Sequence, residues 1–238
     1  MAKDIFEKSA IQQRDGKSYA IVPRIACGHI TDFNILRTIA DVAQKYHASA
    51  IKITSAQRLA IIGITEENID SAMIDLGMEP GFAIGLCVRS VKACPGNRYC
   101  RVGQQDALAL GEQIETRFSG KALPNKLKIA VSGCPICCAE SWVRDIGLIG
   151  SREGYSLVVG GAAGANPRIA QLFAEKVPAE SALPLISLLI DGYLQFGTKR
   201  RLGQLIAKIG LDTFRTAILE MAPPDLIQLC HHKTSPTS

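Results

Sequence analysis

Six cysteines in two tight groups are the residues whose types and spacing could do chemistry in this chain. Cys87, Cys94 and Cys100 form one group, and Cys134, Cys137 and Cys138 form the other; Cys27 and Cys230 lie apart. The closest pairs are Cys94-Pro-Gly-Asn-Arg-Tyr-Cys100, a C-x5-C loop, and Cys134-Pro-Ile-Cys-Cys138, a C-x3-C. Four thiolates are what a [4Fe–4S] cluster requires, one per iron. Zinc prefers C-x2-C pairs, and Cys134 with Cys137 supplies just one. Cys134 and Cys138 stand at i and i+4, so a helix would put both on one face. Pro135 suits a first helical turn, whose positive end favours the Cys134 thiolate. On that helix Cys137, the adjacent alternative to Cys138, points about 100° away and reads as a packed thiol. Cys27, Cys87 and Cys230 read as buried, structural thiols.

The elements that must position these loops follow from periodicity. Residues 18–30 read as a strand running into a Gly-containing turn, and 33–46 as a helix with apolar residues at helical spacing. Ala50–Thr54 reads as a short strand with Lys52 and Thr54 opposite Ile51 and Ile53, and 58–64 as the next strand. A helix opens at Thr65 and stops at Gly77. Residues 78–85, with Pro80 and Gly81, read as a linker. The second part begins with the first cysteine group. A helix is expected over 104–117, then a strand over 126–131 that runs into Ser132-Gly133-Cys134-Pro135 and a further helix. Two strands, 146–149 and 155–159, flank a turn. A glycine-rich loop at 160–164 leads to a helix opened by Pro167. The tail is expected to be helical over 179–221, with a break near Gly210, and frayed beyond 222. The fold class read from this order is α+β. The domains are 1–80, 81–222 and a flexible tail at 223–238.

Composition narrows the class. Of 238 residues 47% are apolar, enough for a sizeable core and against disorder. Aromatics are 5% and no basic–aromatic interleaving is present, so nucleic acid is not expected as a partner. The net charge of +5 suits a small anionic substrate or an acidic redox partner. The opening Met1–Lys8 stretch has no apolar core, and the longest apolar run near the end, 185–190, stops at Asp191. A cytoplasmic chain with neither signal peptide nor membrane span is the expectation. His29 reads as a surface histidine.

The paired motifs resemble those of the sirohaem-dependent sulfite and nitrite reductases, C-x5-C followed by C-x3-C. The context is similar too: Val131-Ser-Gly-Cys-Pro135, Asp145-Ile-Gly-Leu-Ile-Gly150, the Gly160-Gly161 loop through Arg168, and Ile53-Thr-Ser-Ala-Gln-Arg-Leu59 with Gly63. The likeness covers roughly 18–222. It implies a ferredoxin-like half domain followed by a sirohaem and [4Fe–4S] domain. Cys94, Cys100, Cys134 and Cys138 would hold the cluster, with Cys138 shared with the sirohaem iron. The activity implied is six-electron reduction of sulfite to sulfide, with nitrite reduction to ammonia the parallel case. A non-catalytic electron-transfer or sirohaem-binding subunit is the alternative. The resemblance points to Arg24, Lys52, Arg58 and Arg89 for the substrate, and to Gln57, Arg98, Gly160, Gly161 and Arg168 for sirohaem. Lys92 is a further candidate. Gly160–Gly164 does not fit G-x-G-x-x-G, so electrons would come from a ferredoxin-like donor. Larger members carry two copies of the half-domain-plus-cluster unit, and this chain carries one. Either a homodimer recreates the missing half or the site is simpler and more open; a symmetric dimer is favoured.

Overall fold

The computed structural model describes residues 3–230. Its elements run in two blocks. The first comprises β1 (Ala10–Gln12), β2 (Ser18–Ile21), α1 (Asn34–Lys45), β3 (Ala50–Ile53), β4 (Leu59–Thr65) and α2 (Ile69–Leu76). The second comprises β5 (Lys92–Ala93), α3 (Gly96–Tyr99), α4 (Ala107–Phe118), β6 (Ile129–Ser132), β7 (Ile146–Ser151), β8 (Gly154–Val159), β9 (Gln171–Val177), α5 (Ala179–Gln195), α6 (Leu202–Ile209), α7 (Leu211–Leu219) and α8 (Pro224–Cys230).

The first block is a four-stranded antiparallel sheet in the order β1-β2-β4-β3. The apolar stripes of α1 and α2 (Ile39, Val42, Ile69, Ala72, Leu76) pack on Tyr19, Ile21, Ile61 and Ile64. Gly77, in the left-handed conformation, ends α2. β3 is an edge strand, exposed along its whole length.

The second block is a five-stranded mixed sheet in the order β5-β6-β7-β8-β9. β5, β6 and β7 are parallel; β7, β8 and β9 are antiparallel. All of β6 and nearly all of β7 is buried, as central strands covered on both faces are. Helix α4 covers β5 and β6, while α7 and α8 pack on β9. Asp106 caps α4 by accepting from the Ala109 N–H at 2.9 Å.

Three expectations are corrected. No helix follows Cys134. Residues 134–140 form two tight turns, and Cys137 (φ 58) and Glu140 (φ 59) sit in a left-handed conformation that a right-handed helix does not tolerate. Pro167 opens no helix: residues 168–170 are irregular and β9 follows, its Phe173, Ala174 and Val177 buried against β8. The pairing partner decided this segment, not its Pro. The expected loose tail contains α8, which buries Leu226 and Cys230; the remainder, 231–238, lies outside the described residues. The tail also breaks twice, between α5 and α6 and at Gly210.

Candidate cofactor and anion site

Both cysteine groups leave the same end of the second sheet. Ala93 of β5 pairs with Val131 of β6, and the Cys94 N–H donates to the Val131 carbonyl at 3.1 Å. Cys94 and Cys134 therefore emerge from the C-terminal ends of adjacent parallel strands. The Gly133 N–H donates to Cys94 Sγ at 3.0 Å, which ties one cysteine to the peptide preceding the other. Gly133 has to be glycine here. A Cβ would lie 2.7 Å from Gly96 Cα and 2.8 Å from the Gln105 carbonyl. This close approach seats the 96–100 turn, and with it Cys100, over the 133–134 turn. The Cys100 N–H donates to Gly96 O, and Gln104 and Gln105 both donate to Gly133 O.

In the second turn the Cys137 N–H donates to Cys134 O at 3.1 Å and the Glu140 N–H to Cys137 O at 2.8 Å. Cys137 packs against the small cluster of Ile149, Val158 and Ala170, as Leu172 does, and Ser132 Oγ donates to its sulfur at 3.6 Å. Cys138 is exposed, Cys94 and Cys134 are buried and Cys100 is half-buried. Tyr99, Val102 and Ile136, close to these cysteines in sequence, stand exposed. Among the described residues no three His, Cys, Asp or Glu side chains gather closely enough to hold a single metal ion. A cube spreads its four thiolates over separate irons, so the four-cysteine set suits it better than one ion. Cys27, Cys87 and Cys230 are buried, and burial pushes each thiol up.

At the entry ends of the same parallel strands lies a cleft of about 320 Å³ lined by Ser55, Ala56, Arg58, Ser90, Lys92, Lys128, Ile129 and Arg144. Four of its side chains are cations. Glu140 reaches two of them, Lys92 Nζ at 3.1 Å and Arg144 at 2.6 Å. Arg58 Nε donates to Ser90 Oγ, and its guanidinium is pushed down to about 10, by burial first and by Arg89 and Arg144 in part. Burial, then Arg144, Arg201, Lys126 and Arg58, push the Lys128 ammonium down as well. Arg144 Nε is buried without a hydrogen-bond partner. A broader cleft, about 740 Å³, adds Lys126, Arg168, Arg201 and Asn125. Arg201 forks onto the buried Asp145 carboxylate with two contacts of 2.7 Å, and the Lys128 N–H donates to the same group. Crowded cations with an orphaned guanidinium nitrogen want an anion of several carboxylates, and the residues fit one.

The structure sorts the expected substrate residues. Of the four, Arg58 lines the first cleft. Arg24 pairs with Glu79 at 2.6 Å and donates to the Glu115 carbonyl. Lys52 lies exposed on β3. Arg89 donates to the carbonyls of Ala83 and Gly85. Of the expected sirohaem residues, Arg168 lines the second cleft. The Gly160 N–H donates to Asp145 O at 2.8 Å, and Gly161 passes against the carbonyls of Trp142 and Arg144. Arg98 pairs with Asp106 at 3.0 Å, fastening the cysteine loop to α4. The Gln57 amide sits on the backbone of Ala93. His29 is pinned between Glu112 (2.7 Å) and Tyr99 (3.2 Å), more tied down than a surface histidine. Lys126, Lys128, Arg144 and Arg201 went unread as site residues. The alternation of Lys126 and Lys128 at the entry to β6 was the available signal.

Two α+β modules, paired cysteine turns at one end of a sheet and a cationic cleft at the entry of the same strands suit a redox protein with an iron–sulfur centre. The comparisons make the class particular. Residues 84–224 match the nitrite and sulphite reductase 4Fe-4S domain, and residues 11–78 match the nitrite/sulfite reductase ferredoxin-like half domain. The chain belongs to this oxidoreductase family, and membership implies a [4Fe–4S] cluster with sirohaem beside it. It is 42% identical over 213 residues to the "Sulfite reductase, assimilatory-type" of Nitratidesulfovibrio vulgaris, covering 89% of this chain and 97% of that protein. It is 36% identical to the "Nitrite reductase [NAD(P)H]" of Bacillus subtilis, covering 87% of this chain but 26% of that one. The structure of NirA from Mycobacterium tuberculosis superposes with a TM-score of 0.74 at 25% identity, over 86% of this chain and 40% of NirA.

Proposed function

We propose that this chain is a sirohaem and [4Fe–4S] sulfite reductase of the small, single-copy kind, carrying out the six-electron reduction of sulfite to sulfide. The observation that carries the reading is the cleft of Arg58, Lys92, Lys128 and Arg144 at the entry of the strands whose far ends bear Cys94 and Cys134, joined to the second cysteine turn by Glu140. Near-full-length similarity to an assimilatory-type sulfite reductase supports sulfite over nitrite, because the match to the nitrite reductase relative covers 26% of that protein against 97% of the sulfite reductase.

Cys94, Cys100, Cys134 and Cys138 would hold the cluster, and Arg144, Arg168, Lys126 and Arg201 the sirohaem carboxylates. When bound, the two cofactors would supply the electrons for the reduction. The chain's own part is electrostatic. The guanidinium of Arg58 and the ammonium groups of Lys92 and Lys128 hold the oxyanion, in a cleft where burial keeps water from screening them. Each oxygen leaves as water and needs protons. Lys128, whose charged form is disfavoured by burial and by four neighbouring cations, is the readiest donor among them. Ser90 and Glu140 hold Arg58, Lys92 and Arg144 in place.

The domain division at about residue 80, a ferredoxin-like electron donor, a cytoplasmic setting and a symmetric dimer belong to the same proposal. No helix among the described residues is long and apolar enough to cross a membrane. The test is purified protein with reduced methyl viologen and either anion. Sulfite-dependent dye oxidation exceeding that with nitrite is the expected result. Oxidation with neither anion would return the chain to the non-catalytic alternative.

A further inference from the structure

β5 is two residues long and has a neighbour on one side, β6. Among the described residues no strand meets its other edge, yet its backbone is not left open. Gln57 Nε2 donates to the Ala93 carbonyl at 2.8 Å, and the Ala93 N–H donates to Gln57 Oε1 at 3.1 Å. These are the two bonds that a neighbouring antiparallel strand would make to Ala93, supplied by one side-chain amide. Ala93 immediately precedes Cys94.

The amide is held as firmly as what it holds. Gln57 sits at the tip of the β3–β4 hairpin with φ 59, a conformation that costs a non-glycine residue energy and survives where its surroundings enforce it. The enforcement is visible. The Gln57 N–H donates to Thr54 O, the Arg58 N–H to Thr54 Oγ1 at 3.2 Å, and the Thr54 N–H to Arg58 O at 2.8 Å. Gly28 presses on the same turn; a Cβ there would lie 2.6 Å from Gln57 O. One residue further on, Arg58 grips Ser90. A rigid tip of the first sheet thus clasps the strand that carries a cysteine of the second.

We propose that Gln57 is a positioning residue for the iron–sulfur centre, acting through Ala93 to fix Cys94, rather than a residue that touches sirohaem. The inference rests on the four-cysteine cluster reading. It makes the first block part of the cluster's support and not merely a cover for the substrate cleft.

The test compares as-isolated wild type with Gln57→Ala and Gln57→Glu. Glutamate keeps length and acceptor but sets a carboxylate oxygen against the Ala93 carbonyl. Ile39→Val, in the core of the same sheet and far from the clasp, serves as a control for lost stability. Readouts are iron and acid-labile sulfide per chain, the rate of cluster loss to a chelator, and the electron paramagnetic resonance spectrum of the reduced cluster. Outer-shell partners of ligands typically change metal retention by 10–100-fold, so roughly tenfold faster loss and an altered cluster spectrum are expected in both Gln57 variants. Ile39→Val should keep the native spectrum and rate at a comparable fall in Tm. Should Gln57→Ala fail to fold, Gln57→Glu carries the test. Gln57 variants with native cluster retention and spectrum would overturn the proposal. Iron-free wild type would instead overturn the cluster reading itself.

Discussion

The cysteine end and the cationic cleft are built on opposite principles. At the cysteine end the geometry is backbone: two short turns, a Gly96–Gly133 contact too close for any Cβ, and N–H groups aimed at carbonyls and at Cys94 Sγ. The Arg98 charge of the cysteine loop is paired with Asp106. In the cleft the geometry is side chain. Arg58, Lys92, Lys128 and Arg144 come from four segments, repel one another, and are partly answered by Glu140. The first arrangement is satisfied by its own chain. The second would be completed by the anion proposed above. Substitutions at the first should therefore cost fold and cluster, and at the second should cost ligand.

The largest effect tests the first half of that contrast. Cys134→Ser should abolish the cluster, read as iron and acid-labile sulfide per chain, and Cys138→Ser should lose or uncouple both cofactors. Cys137→Ser, in its apolar seat against Ile149 and Val158, should keep them. The reverse outcome would exchange the two neighbours' roles. Next, Gly133→Ala places a methyl 2.7 Å from Gly96 Cα, against backbone that has nowhere to go. Overpacking of this kind costs about 1–3 kcal/mol, measurable by denaturant unfolding. In the cleft, Lys128→Met keeps the aliphatic stem and removes one charge. The KM for sulfite should rise roughly tenfold while the cofactor-free protein loses no stability, because a repelled cation has gone.

The same lysine predicts a pH dependence. Its folded pKa lies below the ordinary 10.5. Between the folded value and 10.5 the unfolded chain binds more protons than the folded one. Stability of the cofactor-free protein therefore rises with pH across that window. Anion binding falls across it, as the ammonium discharges. Lys128→Met should flatten this rise in pH-dependent thermal unfolding. An unchanged slope would place the charge outside the cluster of cations.

What was legible in the sequence follows the same divide. The strand entering Gly133-Cys134 and the order of α1, β3, β4 and α2 could be read, because spacing and periodicity are local. The turn after Cys134 could not, because i, i+4 cysteines with a proline after the first are as compatible with a helix as with the left-handed Cys137 found there. β9 was hidden by Pro167, since its strand character comes from pairing with β8. The cleft was half legible. Arg58 and Lys92 were on the page as candidates. Lys128 and Arg144 were not, because which of 27 basic residues face one another is set by the parallel register of β5, β6 and β7.

Lys52 makes the smallest prediction and the one that separates charge from position most sharply. The resemblance assigned it to the substrate, and its place opposite Ile51 and Ile53 made that reasonable. The structure puts it on the exposed edge strand β3, paired in register with Ala60, and it is absent from the residues lining either cleft. Ile51 and Ile53 beside it are 43% and 70% exposed. A lysine on such an edge discourages pairing with another chain. Lys52→Ala should leave the KM for sulfite unchanged and stability within about 0.5 kcal/mol, as surface substitutions usually do. If KM instead rises as far as in Lys128→Met, the edge of the first sheet must reach the anion. The line drawn between a self-satisfied end and a ligand-satisfied cleft would then have to include β3.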